Sequence, residues 1–272
     1  MDDFLRSLSE IERVEDKSAK TDLYVGLFQK IKYKQGAESI ILLLKMMPLF
    51  EDCFQLYYHL FNHFLMLKMY DESFKFIDFL CEDSSRVREM AFKYPICSDN
   101  GERIADMFSE KKQNDIIDFI NQNCIKLSRG DLGAKYFEMS IKMRDAGIDL
   151  VYETYFNKAI SLSEGKAKVK MVLTFCATLV KMGKKQNAKN ILSAEINNTQ
   201  NEDALPMMYK LAALFEEEDS DKALKLYREI ERIDPEFLDT KERISKLTND
   251  KNRYKINRLT EDDMKDDSNI HF

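Results

Sequence analysis

Two histidines have the spacing that most resembles a metal site. His59 and His63 lie four residues apart, which would place two imidazoles on one face of a helix. No glutamate follows His59, and the third histidine of the chain, His271, stands in the charged C-terminal region. The residues around the pair are mostly aromatic, so we expect both rings to pack in a core and to bind no metal. A metal-dependent enzyme that uses this pair is the alternative.

Other catalytic patterns are missing from the sequence. Gly130 and Gly133 are too few for a phosphate-binding loop, and acid pairs such as Glu102 and Asp106 have the spacing of an ordinary helix surface. With only three histidines, no Ser–His–Asp or Cys–His arrangement can be assembled. We therefore expect a protein that is not an enzyme and that carries no cofactor.

The composition favours a helical protein of the cytoplasm. The 272 residues are 44% hydrophobic and 33% charged, with only eight glycines and four prolines. Five cysteines are scattered without any Cys-x-x-Cys spacing, as expected for reduced thiols. The most apolar run, residues 39–50, contains Lys45 and Pro48 and is shorter than the roughly 20 residues that span a bilayer. We expect no membrane span.

The second half of the chain repeats with a period of 35 to 36 residues. Gly147 recurs as Gly183 after 36 residues, and Phe156 recurs as Leu192 and then as Tyr227. A period of this length is typical of stacked helix pairs, in which each pair buries its apolar face against the next. The predicted helices are 132–146, 150–162, 168–182, 186–196, 204–217 and 220–232, followed by a capping helix at 236–247.

The first half is also helical but less regular. The aromatic segment 54–67 predicts a buried helix, with a break at Lys68 and a partner helix at 71–81. Gly36 is expected to end an earlier helix in a left-handed conformation. The chain thus divides into an N-terminal region, 1–130, of diverged repeats or a docked bundle, then repeats over 131–247. Residues 248–272 are charged and poor in apolar residues, which predicts a disordered tail.

The repeat residues resemble the tetratricopeptide repeat, a helix–turn–helix unit of 34 residues. The match is clearest in the third unit, where the motif positions are taken by Leu211-Ala212, Phe215, Ala223, Tyr227 and Ile233-Asp234-Pro235. In two places the motif's small residue is replaced, by Tyr152 in the first unit and by Glu195 in the second. The resemblance implies an all-α solenoid of stacked antiparallel helix pairs, clearest over residues 131–247.

The resemblance also implies a concave groove, lined by the first helix of each unit, that binds a peptide or a helix. The residues expected to line it are Phe137, Ile141, Arg144, Lys170, Leu173, Ala177, Lys181 and Tyr209. The apolar members would contact the partner, and the basic ones would select its acidic flanks. The basic clamp with which some family members hold a C-terminal carboxylate is not reproduced. The alternative is that another segment of this chain covers the apolar positions.

Charge is distributed unevenly along the chain. Residues 166–194 contain seven lysines and no acid, so the rest of the chain carries a formal −13 against a net charge of −6. Such a basic unit could hold an acidic partner, a phosphate or a nucleic acid. We favour a solvated face that is offset by the acidic turn 216–219 of the next repeat. The net negative charge disfavours a dedicated nucleic-acid binder.

These expectations favour a non-enzymatic interaction scaffold, an adaptor or assembly factor with another protein as its partner. The alternative is a peptide-responsive regulatory or sensor protein, in which the repeats control an N-terminal helical effector region. In either case the chain could be a subunit of a larger assembly.

Overall fold

The computed structural model describes residues 2–31, 36–50, 53–96, 98, 100–109, 113–199 and 201–249. Over these residues the protein is all-helical, and no strand occurs among them. Its α-helices are α1 Asp2–Glu12, α2 Lys17–Ile31, α3 Ala37–Met46, α4 Phe54–Met66, α5 Tyr70–Phe74, α6 Ile77–Glu82, α7 Ser84–Lys93, α8 Gly101–Ser109, α9 Gln113–Asn123, α10 Arg129–Asp145, α11 Asp149–Leu162, α12 Gly165–Lys181, α13 Lys185–Asn197, α14 Asn201–Phe215, α15 Ser220–Ile233 and α16 240–249. A 3₁₀ turn at Met47–Leu49 follows α3.

The helices form two compact units. The first covers Met1–Leu162 and the second begins at Ser163. The division therefore falls after α11, so the helix pair α10–α11 belongs with the N-terminal helices. Within the described ranges, no helix combines the length and the apolar character that crossing a bilayer requires.

Helix α4 lies at the centre of the first unit. Ten of its thirteen residues are buried, because the segment is apolar on every side rather than along one stripe. Two polar side chains of α4 reach the backbone that follows α7: the Tyr58 hydroxyl donates to the carbonyl of Tyr94 at 2.6 Å, and Asn62 Nδ2 donates to the carbonyl of Pro95 at 3.0 Å. These bonds hold the less regular helices α7–α9 against the aromatic core.

Two local expectations for the first unit were wrong in detail. The helix expected over 71–81 is two short helices, α5 and α6. Gly36 has an extended backbone, with φ −173° and ψ 171°, and immediately precedes α3. It therefore begins a helix instead of ending one, and any residue can adopt this conformation.

The regular part of the chain consists of three helix hairpins, α10–α11, α12–α13 and α14–α15. The helices of each hairpin are antiparallel, because opposite ends of the two helices meet. In the first hairpin Arg129, at the start of α10, donates to the carbonyl of Ser161 near the end of α11 at 2.7 Å, while the rings of Phe137 and Phe156 meet at the midpoints with centroids 5.5 Å apart. In the second, Cys176 Sγ lies 3.6 Å from the carbonyl of Ala188, and in the third, the ammonium of Lys222 lies 5.4 Å from the ring centroid of Phe215. All six helices lie at the places that the repeat predicted. Their stacking as a tetratricopeptide-like solenoid stays a prediction.

Small buried residues allow the close approach of helices in the second unit. Cys176 and Ala188 are fully buried where α12 meets α13, and Ala212 and Ala223 are fully buried in α14 and α15. Side chains of this size leave room for the larger neighbours to interdigitate. The first hairpin departs from this pattern, since the large ring of Tyr152 is fully buried on α11.

Three helices end in the same left-handed turn. Gly147 after α10 has φ +69° and Gly183 after α12 has φ +77°. In both turns the residue after the glycine donates a backbone hydrogen bond back to the last helical turn, Ile148 to Met143 at 2.9 Å and Lys184 to Leu179 at 2.8 Å. The same bond closes α4, but there the left-handed residue is Lys68, with φ +60°.

The expected capping helix begins four residues later than predicted. Residues 234–239 form turns, and α16 begins at residue 240. Pro235 disfavours the helical conformation for Asp234, and Leu238 has a left-handed backbone with φ +46°. The charged tail expected over 248–272 lies outside the described residues from residue 250 onward.

Replacing Lys68 by glycine should stabilise the protein. A side chain in the left-handed region costs roughly 1 kcal/mol relative to glycine. We expect Lys68→Gly to raise the free energy of unfolding by about that amount in urea titrations followed by circular dichroism.

Two further variants control this experiment. Lys68→Ala removes the side chain but keeps the strain, so it should bring no gain. Gly183→Ala should lower the free energy of unfolding by about 1 kcal/mol. The added Cβ would meet nothing within 4 Å, so this loss would come from backbone strain alone. A loss of stability in Lys68→Gly would contradict the account.

Candidate functional site

The residues expected to line a groove fall into two groups. Phe137, Ile141 and Arg144 lie on α10 in the first unit. The other five lie in the second unit, and they are Lys170, Leu173, Ala177 and Lys181 on α12 and Tyr209 on α14.

The four candidate residues of α12 form one stripe along that helix. Their spacings of three or four residues place them within a narrow sector of the helix surface. Leu173 and Ala177 are half-buried in the middle, while Lys170 and Lys181 are exposed at the two ends. Neither lysine has a carboxylate partner within the described part of the chain. We call these four residues the lysine stripe.

The opposite face of α12 is buried in the second unit. Val172, Phe175, Cys176 and Leu179 are each at most 1% exposed. One face of α12 thus packs into the core of the unit, and the lysine stripe lies on the other face.

Other lysines of the basic region are paired inside the protein. Lys168 binds Glu195 at 2.6 Å, and Lys185 binds Glu218 at 3.0 Å. Lys189, only 3% exposed, also binds Glu218 and lies over the ring of Phe215. The acidic turn after α14 therefore neutralises two lysines of α13, as the favoured interpretation of the charge pattern expected. These pairs do not involve the lysine stripe.

Tyr209 is held by the C-terminal part of the second unit. Its hydroxyl donates to the carboxylate of Asp239, and its ring packs near Phe237, with centroids 6.1 Å apart. Arg243 binds the same carboxylate at 3.0 Å and Glu216 at 2.7 Å. This side chain is therefore already in contact with its own chain, and its role in partner binding stays a prediction.

A cleft lies next to this cluster, at the same end of the second unit. Its volume is about 490 Å³, and its lining residues are Glu216, Glu217, Asp239, Glu242, Arg243, Lys246 and Leu247. Four carboxylates against two cations make this cleft acidic, in contrast to the lysine stripe. We call it the acidic cleft.

The candidate residues of α10 also have partners within the first unit. The ring of Phe137 packs against Phe156 on α11, as described for the hairpin. The guanidinium of Arg144 binds the carboxylate of its neighbour Asp145 at 2.6 Å. Ile141 is half-buried. An acidic partner of Arg144 would have to compete with Asp145.

The most unusual polar group of the protein is one that the sequence did not single out, the carboxylate of Glu72. It is only 1% exposed on α5. It accepts hydrogen bonds from the hydroxyls of Tyr136 at 2.9 Å and Tyr155 at 3.1 Å, and from the ammonium groups of Lys158 and Lys75, each at 2.5 Å. The cluster joins α5 to the hairpin α10–α11.

The surroundings of Glu72 keep it ionised. Burial by itself would raise the pKa of this carboxyl group, but the hydrogen bonds from Lys158 and Lys75 outweigh that effect and lower the pKa below its usual value. Burial and the nearby carboxylate raise the pKa of both Tyr136 and Tyr155, so their hydroxyls stay protonated as donors. All four groups around the carboxylate form a hydrogen bond with it, and this favours a structural role for Glu72.

The two histidines are buried on α4, as expected for core residues. The ring of Phe28 on α2 packs edge-on against both, with centroid distances of 5.0 Å to His59 and 6.4 Å to His63. Burial lowers the pKa of His63 to about 4. Among the described residues, no three His, Cys, Asp or Glu side chains come together in a group that could hold a metal ion.

Comparisons with protein-family models, with curated proteins and with solved structures found no match for this chain. The resemblance to tetratricopeptide repeats therefore stays a prediction from its motif residues. Function has to be argued from the geometry of the two units.

Removing the buried charge should weaken the first unit. Glu72→Gln keeps the size of the side chain but leaves two ammonium groups and two hydroxyls without their carboxylate. Breaking a buried ion pair in this way costs about 3 kcal/mol, which we expect as a fall in the free energy of unfolding in urea. Glu89→Gln is the matched control, because it breaks the exposed pair of Glu89 with Lys93. An equally small effect of both variants would contradict a structural role for Glu72.

Stability should fall on acidification because of His63. Its pKa in the folded protein is about 4, below the unperturbed value of about 6.5. The unfolded chain therefore binds more protons between these values, and stability is lost as the pH falls through that window. Between pH 7 and pH 4.5 the free energy of unfolding should drop about 2 kcal/mol less in His63→Leu than in the parent. Equal drops would show that His63 is not buried in its neutral form.

Proposed function

We propose that this protein is a non-enzymatic interaction scaffold, an adaptor or assembly factor of the cytoplasm, built from tetratricopeptide-like helix pairs. The observation that carries the proposal is the lysine stripe, a half-buried apolar strip with an unpaired ammonium group at each end. The four described cysteines carry no disulfide, which supports a reducing compartment.

The shape of the stripe defines the partner that it fits. Its two lysines are 11 residues apart, which corresponds to about 16 Å along a helix. Apolar contact with Leu173 and Ala177 would provide most of the binding energy, since exposed ion pairs contribute at most about 1 kcal/mol each. The fitting partner is a peptide or an amphipathic helix with apolar residues in its middle and acidic residues on both flanks.

The remaining candidate residues extend this proposal. Tyr209 would add contact from α14, the neighbour of α12 in the second unit. Phe137, Ile141 and Arg144 would form a corresponding surface on α10 in the first unit. Nucleic acid is a poor fit, since the lysines beyond the stripe on α13 are neutralised by Glu218.

The regulatory alternative, in which repeats control an N-terminal effector, gains support from the division into two units. A cleft of about 520 Å³ in the first unit is lined by Glu12, Lys20, Tyr24, Leu44, Lys45, Pro48, Leu49, Gly147 and Ile148.

A truncation that tests this alternative needs to end after Leu162, because a cut at 130 would remove three of the four partners of Glu72.

Partner capture should depend on both features of the stripe. We expect Leu173→Asp to abolish affinity capture of the partner from native extract, because it places a charge in the apolar contact. The double charge reversal Lys170→Glu/Lys181→Glu should weaken capture roughly tenfold at low salt. Because salt screens exposed charges, added salt should reduce the difference in partner capture between the parent and the double variant.

Matched controls lie on α15. Leu226→Asp makes the same substitution at another half-buried leucine, and Lys225→Glu/Arg228→Glu makes the same charge change at exposed positions. Both should capture the partner like the parent, and circular dichroism should show the same helicity in all variants. Retention of the partner by Leu173→Asp and by the stripe double variant would rule out this site.

A further inference from the structure

We propose that the lysine stripe has an internal competitor, the acidic segment 261–267 of the same chain. This inference rests on the proposed function, because it names what occupies the partner site when no partner is bound. The segment reads Glu-Asp-Asp-Met-Lys-Asp-Asp. Apart from Lys265, its order of acidic, apolar and acidic residues mirrors the order of lysine, apolar residues and lysine on α12.

The spacing of charges agrees as well as their order. The acids stand at 261–263 and at 266–267, on either side of Met264. In an extended chain the centres of the two acidic groups are about 15 Å apart. The two lysines are about 16 Å apart along α12. Both ammonium groups can thus meet a carboxylate while Met264 contacts Leu173 and Ala177.

The segment can reach the stripe from where the described chain ends. Asn249 is the last described residue of α16, in the same unit as α12, and Glu261 follows it after 11 intervening residues. Such a connection extends up to about 40 Å and spans about 19 Å on average. A compact unit of fewer than 90 residues has a radius of gyration of about 12 Å. The fully extended connection is therefore longer than the distance across the unit that holds both Asn249 and the stripe.

The intervening residues favour this path. Between 251 and 258 the chain has four basic residues and no acid, and it leaves α16 beside the acidic cleft, whose lining includes Lys246 and Leu247. Attraction to the cleft would hold this basic part near α14. The acidic part that follows is repelled by the same cleft. The ammonium groups of Lys166, Lys170 and Lys181 on α12 have no carboxylate partner among the described residues, whereas Lys185 and Lys189 on α13 are paired with Glu218.

Because the acidic segment is covalently attached to the unit that carries the stripe, even a weak contact between the two can be populated. A segment on a short linker has an effective concentration in the millimolar range, so a contact with millimolar affinity in free solution is populated about half of the time. A partner must then displace the segment, and its apparent affinity falls in proportion to the occupied fraction. The protein would thus favour partners that bind the lysine stripe more tightly than its own acidic segment does.

Zero-length cross-linking of the full chain tests this contact. A carbodiimide joins a carboxylate to an amine only when the two touch, and the products are mapped by mass spectrometry in the monomer fraction. We expect cross-links from 261–267 to Lys170 and Lys181. The neutralised variant, with Glu261→Gln, Asp262→Asn, Asp263→Asn, Asp266→Asn and Asp267→Asn, has no carboxylate to couple in this segment and serves as the blank. The cross-links should fall at least about fivefold in high salt and in Met264→Asp, which keeps every carboxylate of the segment but removes its apolar contact. The α15 variant Lys225→Glu/Arg228→Glu should keep them.

The outcomes separate this inference from the proposed function. Cross-links to both stripe lysines, together with about twofold better partner capture by the neutralised variant, support both. Cross-links without any effect of Leu173→Asp on capture support the internal contact and overturn the proposed function. Cross-links from 261–267 only to other lysines, such as Lys251 or Lys255, overturn the inference. If Leu173→Asp still loses the partner in that case, the proposed function stands.

Discussion

A carboxylate can remain charged in a helical core only where other groups replace the water that it loses, and Glu72 is in that position. Removing such an ion from water costs several kcal/mol. Here two ammonium groups and two hydroxyls compensate for that loss. Three of these four groups come from α10 and α11, so the hairpin cannot leave the N-terminal helices without uncovering an unpaired charge. This requirement explains why the first unit extends to Leu162.

The second unit depends on packing instead. Buried small residues such as Cys176 and Ala212 let the helices approach closely, and larger neighbours such as Phe175 and Tyr227 fill the remaining space. Helix α12 uses one face for this packing. Its other face carries half-buried apolar residues between two exposed lysines, and this surface is where we propose that a partner binds.

The surface charge of the second unit depends on which lysines form ion pairs more than on how many lysines there are. Seven lysines lie between residues 166 and 194, but Lys168, Lys185 and Lys189 bind carboxylates within the unit. Lys166, Lys170 and Lys181 have no carboxylate partner among the described residues, and the last two lie at the two ends of one apolar strip. A diffuse basic surface would suit a nucleic acid, whereas two charges at a fixed separation suit an acidic peptide segment.

Local patterns in the sequence determined much of this protein. The periodicity of apolar residues located all six helices of the hairpins. The repeat aligned Gly147 with Gly183, and the structure shows that both adopt the left-handed backbone that glycine takes without strain. The resemblance to the repeat family selected Lys170, Leu173, Ala177 and Lys181, and their spacing of three or four residues places them on one face of a helix. The aromatic neighbours of His59 and His63 predicted that both rings would be buried, and both are.

What only the tertiary structure decided was which distant residues meet. Glu72 lies 64 residues from Tyr136 and 86 residues from Lys158, and no local pattern distinguishes a carboxylate with such partners from one in solvent. For the same reason the sequence placed the boundary between the N-terminal region and the repeats at residue 130. It also could not distinguish the lysines that bind carboxylates within the unit from the two lysines of the stripe. Helices form from neighbours along the chain, but burial and ion pairing depend on contacts between segments that only the folded chain brings together.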